Sequence, residues 1–371
     1  MKVTPRLRVG VIFGGRSGEH EVSLMSAASI MRALDPKRYE VVPIGITQDG
    51  QWVRGRLPAQ GDPEASGRPV ALLPEPGHEG LLAIDEPAPA PIRLDVVFPV
   101  LHGTFGEDGT VQGLLELANI PYVGAGVLAS AVGMDKEVMK RLFVEAGLPV
   151  LPFLKVMRHQ WESSPQTVIA RVESEIGYPC FSKPANLGSS VGVSRADNRR
   201  ELERGLTDAA RYDRKLLVEM AAPDAREIEC SVLGNDYPEA SVVGEIIPSR
   251  EFYDYAAKYL DGTSQLIIPA NLPPVTARQV QELAIKAFLA IDASGMARVD
   301  FFVGRKDNRV WLNEINTIPG FTSISMYPKL WEASGLPYPE LVDRLIQLAL
   351  ERHAESGRRL TRYKPLPESS P

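Results

Sequence analysis

The chain has 371 residues, more than twice the roughly 150 of an average domain, so one small module is excluded and two or three domains are expected. With 44% apolar and 24% charged residues it has the composition of a globular protein and not of a disordered chain. Its 41 Lys and Arg against 47 Asp and Glu leave a net charge of −6, opposite in sign to the basic surface that nucleic acid or an acidic membrane demands.

At the N-terminus Lys2, Arg6 and Arg8 precede an apolar Val9-Gly10-Val11-Ile12-Phe13. That run ends in Gly14-Gly15-Arg16 with no small-residue cleavage site, so it reads as a first strand and not as a signal peptide. Strand-like runs at 7–13, 39–46 and 94–100 alternate with helical patterns at 22–34 and 110–118, the signature of a parallel sheet with crossover helices. Between them, residues 54–91 are rich in Pro and Gly and read as a surface excursion. The longest apolar run, 121–134, is interrupted by glycines and falls short of the ~18 to 20 residues that span a bilayer, so a cytoplasmic location is expected.

A helix over 135–146, with Gly147 as its C-cap, leads through Pro-bounded strands and a helix over 165–176 to a strand at 178–182, a small α+β unit ending near Ala225. Beyond it, strands are expected at 227–233, 241–248, 297–303 and 309–316, with helices over 276–293 and 338–353. The tail 357–371 reads as frayed. Cys180 and Cys230 lie in apolar strand-like surroundings without metal-type spacing and read as buried thiols.

Four stretches carry chemistry. Lys183-Pro184-Ala185-Asn186-Leu187-Gly188-Ser189-Ser190-Val191-Gly192 follows a strand and offers small residues where backbone N–H groups could approach a phosphate, although an ordinary Gly-Ser hairpin reads the same way. No Walker-type G-x-x-x-x-G-K-[ST] occurs, and Gly14-Gly15-Arg16-Ser17-Gly18-Glu19 lacks the G-x-G-x-x-G spacing of a dinucleotide fold. Arg298-Val299-Asp300 and Glu314-Ile315-Asn316 flank a polar turn. On two antiparallel strands turning near 306–307, Asp300 lies almost opposite Glu314. Facing carboxylates repel unless a cation lies between them, and an oxygen set of Asp, Glu and Asn suits Mg²⁺; a solvated polar sheet face is the plainer alternative. Phe252-Tyr253-Asp254-Tyr255-Ala256-Ala257-Lys258-Tyr259 has no clear period and reads as a surface loop that could close as a lid, with Lys258 on a phosphate. His102 begins a Gly-rich segment after the 94–100 strand, where ligands of α/β sheets bind.

In order along 14–326, the motifs G-G-R-S-G-E-H-E-V-S, L-H-G-T-F-G-E-D-G-T, K-P-A-N-L-G-S-S-V-G, Y-D-Y-A-A-K-Y, R-V-D and N-E-I-N-T-I-P-G-F-T-S resemble those of the ATP-grasp ligases, and within them the D-alanine–D-alanine ligases. The resemblance implies an α/β (α+β multidomain) ATP-grasp fold with an N-terminal parallel-sheet, or pre-ATP-grasp, domain. It places a substrate domain at 1–134, a small central domain at 135–225 and a C-terminal domain at 226–371. It implies ATP between the last two domains, with Lys136, Lys183 and Lys258 on its phosphates and Ser189 and Ser190 covering them. Glu219 would hold the adenine amino group and Glu227 the ribose hydroxyls, with Phe302 also on the nucleotide. Asp300, Glu314 and Asn316 would ligate two Mg²⁺ or Mn²⁺ ions; a monovalent cation is left open. Glu19 and His102 would hold the first D-alanine, Arg298 and the Gly320 N–H the oxyanion, and Ser325 and Met326 the second carboxylate. Glu19, Ser189 and Tyr259 would form a triad closing the lid. The implied partners are D-alanine, ATP and a second copy of the chain in a homodimer, with no nucleic acid and no membrane.

The chain departs from the family pattern at Met220, Ala256 and Ser182, which bears on nucleotide affinity. A D-alanine–D-lactate ligase is the nearest alternative, disfavoured by Tyr259. A non-catalytic nucleotide-binding regulator is the other, disfavoured by Arg298 standing beside the metal set.

Overall fold

The computed structural model describes residues 5–55, 67–77, 80–86, 90–188, 190–247, 265–322 and 324–360. Three sheets organise them.

The first is built on β1 (Leu7–Gly14), which pairs in parallel with β2 (Tyr39–Ile46) on one side and β7 (Val96–Val100) on the other. β1 is buried on both faces, so its side chains alternate between two cores. Val9, Val11 and Phe13 meet Ala27 and Ile30 of α1 (His20–Ala33), while Ile12 faces Val111 and Leu115 of α2 (Thr110–Leu117). The parallel sheet with crossover helices is as expected.

The surface excursion is not. β3 (Trp52–Arg54), β4 (Arg68–Leu72), β5 (Gly80–Ala83) and β6 (Ile92–Arg93) extend this sheet antiparallel beyond β2. Val70, Leu72 and Leu81 drop into the core shared with α2. Strands this short, separated by Pro- and Gly-rich turns, give too few residues for a period of two to register.

The second sheet has the order β10-β9-β11-β8, formed by β8 (Phe153–Met157), β9 (Cys180–Pro184), β10 (Ser194–Ala196) and β11 (Lys215–Met220). One core joins it to α6 (Pro165–Glu175) and α7 (Arg199–Tyr212), which follow α5 (Arg158–Ser163). The Asn198 side chain caps α7 by accepting from the Glu201 N–H, and Leu202, Leu206 and Ala209 form its narrow apolar stripe.

The third sheet, of order β14-β13-β12-β15-β16, is antiparallel throughout: β12 (Ala225–Gly234), β13 (Glu239–Ile247), β14 (Gln265–Ile267), β15 (Gly295–Gly304) and β16 (Val310–Asn316). Its apolar face is covered by α8 (Pro274–Ala290) and also by α3 (Val127–Met134) and α4 (Lys136–Glu145), whose Met139 and Phe143 share that core. After α9 (Met326–Ala333), the last described helix α10 (Tyr338–Ser356) returns to the first sheet. Leu341, Leu345 and Ile346 are fully buried against the core of β1 and β7. The chain's end thus clamps the first sheet to the third. Cys180 and Cys230 are both free and buried, as expected. No described helix is long and apolar enough to cross a membrane. Of the tail reading, 361–371 lies outside the described residues.

Candidate active site

A cleft of about 440 Å³ opens where the three sheets meet. The first sheet enters it through the turn after β1. Gly14 and Gly15 have φ of +88° and +100°, and a Cβ on Gly14 would lie 2.2 Å from the Ile46 carbonyl oxygen, so only glycine permits this turn. The turn delivers Glu19 to the start of α1 with 9% exposure. A Cβ on either Gly103 or Gly188 would come within 2.9 Å of Glu19 Oε2, so this carboxylate is wedged between the segment after β7 and the loop after β9.

His102 is 4% exposed, with Nδ1 3.1 Å from the Ile318 carbonyl and Nε2 3.3 Å from Ser26 Oγ. Burial pushes its pKa down, so the ring is neutral, donating through Nδ1 and accepting at Nε2. Ser17 Oγ donates to the His102 carbonyl at 2.7 Å and accepts from the Glu19 N–H at 3.2 Å, which ties both residues into one unit. Glu107, which carries no distinguishing signal in the sequence, completes this wall. Its Oε2 accepts from the Gly103 N–H at 2.8 Å, and burial first, then the Glu19 charge, push its carboxyl up to about 8.

The third sheet supplies the densest charge. The β15/β16 ladder pairs Asp300 with Glu314 and Arg298 with Asn316, the expected facing, with an irregularity between Asp300 and Phe301 that leaves Asn313 out of the register. The expected repulsion between the carboxylates is offset within the protein. Arg298 donates to both Asp300 oxygens at 2.7 Å, and Lys136 Nζ stands 3.6 Å from Glu314. Asn316 Nδ2 donates to Asp300 at 3.1 Å, and Glu229, also missed from sequence, lies 3.1 Å from Arg298 Nε.

Among the described residues no group of three or more His, Cys, Asp or Glu side chains could hold a metal. Two carboxylates and one amide oxygen nevertheless fit a hard divalent cation whose remaining ligands are phosphate or water oxygens. Asp300, Glu314 and Asn316 all border the cleft and are the residues that would hold it.

The second sheet contributes Lys183 and Glu219. Glu219 is 2% exposed; its Oε2 lies 2.5 Å from Lys183 Nζ and its Oε1 against Lys140, a third residue not found from sequence. Burial alone would push the Glu219 carboxyl up, but the two lysine charges outweigh it and hold its pKa below the usual carboxylate value. Lys136, at the first turn of α4, donates from Nζ to the Leu187 carbonyl at 2.9 Å, while the Asp135 side chain caps the helix by accepting from the Val138 N–H.

Of the remaining residues named from sequence, Glu227 pairs with Phe302 across β12/β15, and both border the cleft together with Ser190. Gly320, Ser325 and Met326 also line the cleft; Ser325 Oγ accepts from the Thr322 N–H at 3.0 Å just where α9 begins. Met220, the departure after Glu219, also borders it. Ser189, Ala256, Lys258 and Tyr259, and with them the lid, lie outside the described residues.

The chain matches two family descriptions, "D-ala D-ala ligase N-terminus" over residues 8–125 and "D-ala D-ala ligase C-terminus" over 142–347. It is 54% identical to a D-alanine–D-alanine ligase of Heliobacterium modesticaldum, covering 96% of this chain and 98% of that protein. It is 50% identical to one of Geobacillus kaustophilus, covering 94% and 96%. Among solved structures, the D-alanine–D-alanine ligase from Coxiella burnetii superposes with a TM-score of 0.82 at 39% identity, covering 95% of this chain and 98% of that one. The VanG D-Ala:D-Ser ligase from Enterococcus faecalis also gives 0.82, at 35% identity, covering 93% and 100%. With three sheets meeting at one charged cleft and half-identical relatives along nearly its whole length, the chain belongs to the D-alanine–D-alanine ligase family and has its ATP-grasp fold.

Proposed function

We propose that this chain joins two D-alanines in an ATP-dependent, ADP-forming reaction through an acyl phosphate, a dipeptide synthesis that serves peptidoglycan precursors. One observation carries the reading: the carboxylate Glu19, the cations Lys136 and Lys183, and the Arg298–Asp300–Glu314 set converge from three sheets on one cleft. An amino acid needs the first for its ammonium group, a triphosphate needs the second, and the third suits charge developing at the reacting centre.

In the first half-reaction a carboxylate oxygen of the first D-alanine attacks the γ-phosphorus of ATP, ADP leaves, and an acyl phosphate forms. Glu19 holds this substrate's ammonium, with neutral His102 beside it. In the second, the deprotonated amine of the second D-alanine attacks the acyl carbon; the C–N bond forms, the C–O bond to phosphate breaks, and phosphate and one proton are released. Arg298 and the Gly320 N–H stabilise the oxyanion that develops between these events. Ser325, the Met326 N–H and the positive end of α9 receive the second carboxylate. Glu219 accepts from the adenine amino group, Glu227 holds the ribose hydroxyls, Phe302 packs on the nucleotide, and Lys136, Lys183 and Ser190 hold its phosphates. When bound at Asp300, Glu314 and Asn316, Mg²⁺ or Mn²⁺ neutralises phosphate charge. Two such ions, a triad of Glu19, Ser189 and Tyr259, phosphate contact by Lys258, a homodimer and a cytoplasmic location complete the proposal.

Because a D-Ala:D-Ser ligase shares this fold, the acceptor has to be measured. Phosphate release from ATP with a panel of D-amino and D-hydroxy acids tests the reading. D-Alanine alone should support full turnover with dipeptide as the product. ATP turnover that ignores D-alanine, or ester formation in preference to dipeptide, would overturn it.

A further inference from the structure

Lys140 has no part in the chemistry above, yet its ammonium is sealed within the same site. It lies one turn beyond Lys136 on α4, with its side chain 1% exposed. Its Nζ donates to the Asn313 carbonyl of β16 at 2.8 Å and pairs with Glu219. Burial pushes its pKa down, opposed by the Glu219 charge and reinforced by that of Lys183. A hydrocarbon side chain would fill the same space without that desolvation cost, so the charge itself calls for a reason.

The reason lies in the local sum. Two lysines and one glutamate leave a charge of +1 at the edge of the cleft. Without Lys140 the sum is zero, and the Lys183 ammonium, 2.5 Å from Glu219, is neutralised by it. Glu219 Oε1 is held against the Lys140 ammonium, which balances its charge and fixes the carboxylate where the residue borders the cleft. The bond to Asn313, next to Glu314, anchors the arrangement to β16.

We propose that Lys140 is a positioning residue that neutralises Glu219 and fixes it against β16, leaving the charge of Lys183 for a nucleotide's phosphates and the Glu219 carboxylate for a base bearing an exocyclic amino group. The proposal rests on the nucleotide reading above and adds a residue that touches no ligand.

The test is calorimetric titration of the intact chain with ADP and with inosine diphosphate, whose base carries an oxo group in place of the amino group. The parent should prefer ADP. Lys140→Met should weaken both ligands about tenfold, the effect of one screened charge near a phosphate, and leave the KM for D-alanine unchanged. In the double variant Lys140→Met/Glu219→Gln the sum returns to +1, so inosine diphosphate affinity should recover while the preference for ADP is lost. A merely structural lysine gives no such rescue. Lys140→Met that binds both ligands as the parent does, or a double variant no better than Lys140→Met, would overturn the proposal. Should Lys140→Met fail to fold, Glu219→Gln with a sum of +2 must bind inosine diphosphate more tightly than the double variant, and equal affinities would refute the idea. A parent that binds neither ligand refutes the nucleotide reading itself, which the first titration reveals.

Discussion

The Lys140–Glu219–Lys183 cluster and the Arg298–Asp300–Glu314 cluster share one cleft but use charge in opposite ways. In the first, side-chain exposures are 1%, 3% and 11%. In the second, with Lys136, they run from 14% to 21%. Breaking a sealed pair leaves a buried charge uncompensated, at a cost of roughly 3 to 5 kcal/mol, so the first cluster is fixed architecture. Water reaches the second, so its ions can exchange partners with a ligand at far lower cost. On the proposed reading, binding groups are thus preset beside the second sheet, while reacting groups on the third are held by partners they can release.

Four changes would break or sharpen this contrast. The largest effect is expected from Asp300→Asn, which removes a carboxylate from the cation set and leaves Arg298 without its bidentate partner. Turnover should fall by about a thousandfold or more, and thermal stability without metal should drop by about 1 to 3 kcal/mol, since the Arg298 pair, and not repulsion, dominates there. Melting curves with and without Mg²⁺ check both; a variant that melts above the parent would show that repulsion dominates. Next, Arg298→Lys keeps the charge but loses the fork. A fall in kcat of about a hundredfold is expected with the KM for ATP little changed, and steady-state kinetics separate the two.

In the packing between sheets, Leu345→Ala opens a cavity beneath α10 and should cost about 2 to 5 kcal/mol in chemical denaturation while leaving KM values as they were. The smallest effect belongs to Glu107. Its folded pKa is raised from 4.5 to about 8, with Glu19 as the like charge and Lys136 and Arg298 as opposing ones. Between those values the folded chain holds a proton that the unfolded chain has lost, so this group's contribution to stability is full below the lower value and falls as pH rises through the window. Glu107→Gln removes that slope and should gain about 1 to 3 kcal/mol on the parent between about pH 5 and about pH 8. Parallel melting curves across pH would sink the assignment.

Legibility from sequence followed the range of the interactions. That Asp300 and Glu314 come near each other could be read because a polar turn and a period of two fix a hairpin register locally; the last one-residue step comes from the irregularity after Asp300, for which the sequence carries no signal. Asp135, expected as the first residue of α4, proves to be its cap, whereas the C-terminal end of that helix was legible from the glycine that follows it. Lys140 was not, because on a helix wheel it is one more charged residue, and only the approach of β11 and β16 buries it. Glu107 and Glu229 were invisible for the same reason. α7 gives little signal in the sequence because its apolar stripe is three residues wide amid charge, and β3 to β6 give little because each is too short to show alternation.

The central claim is that the phosphate leaving this cleft has first been joined to a D-alanine carboxylate. It is tested most directly with D-alanine labelled by ¹⁸O in its carboxylate, supplied with ATP, the released phosphate being analysed by mass spectrometry or ³¹P NMR. Transfer through an acyl phosphate predicts one ¹⁸O atom in each phosphate formed, in step with dipeptide. Unlabelled phosphate released alongside dipeptide would contradict the account.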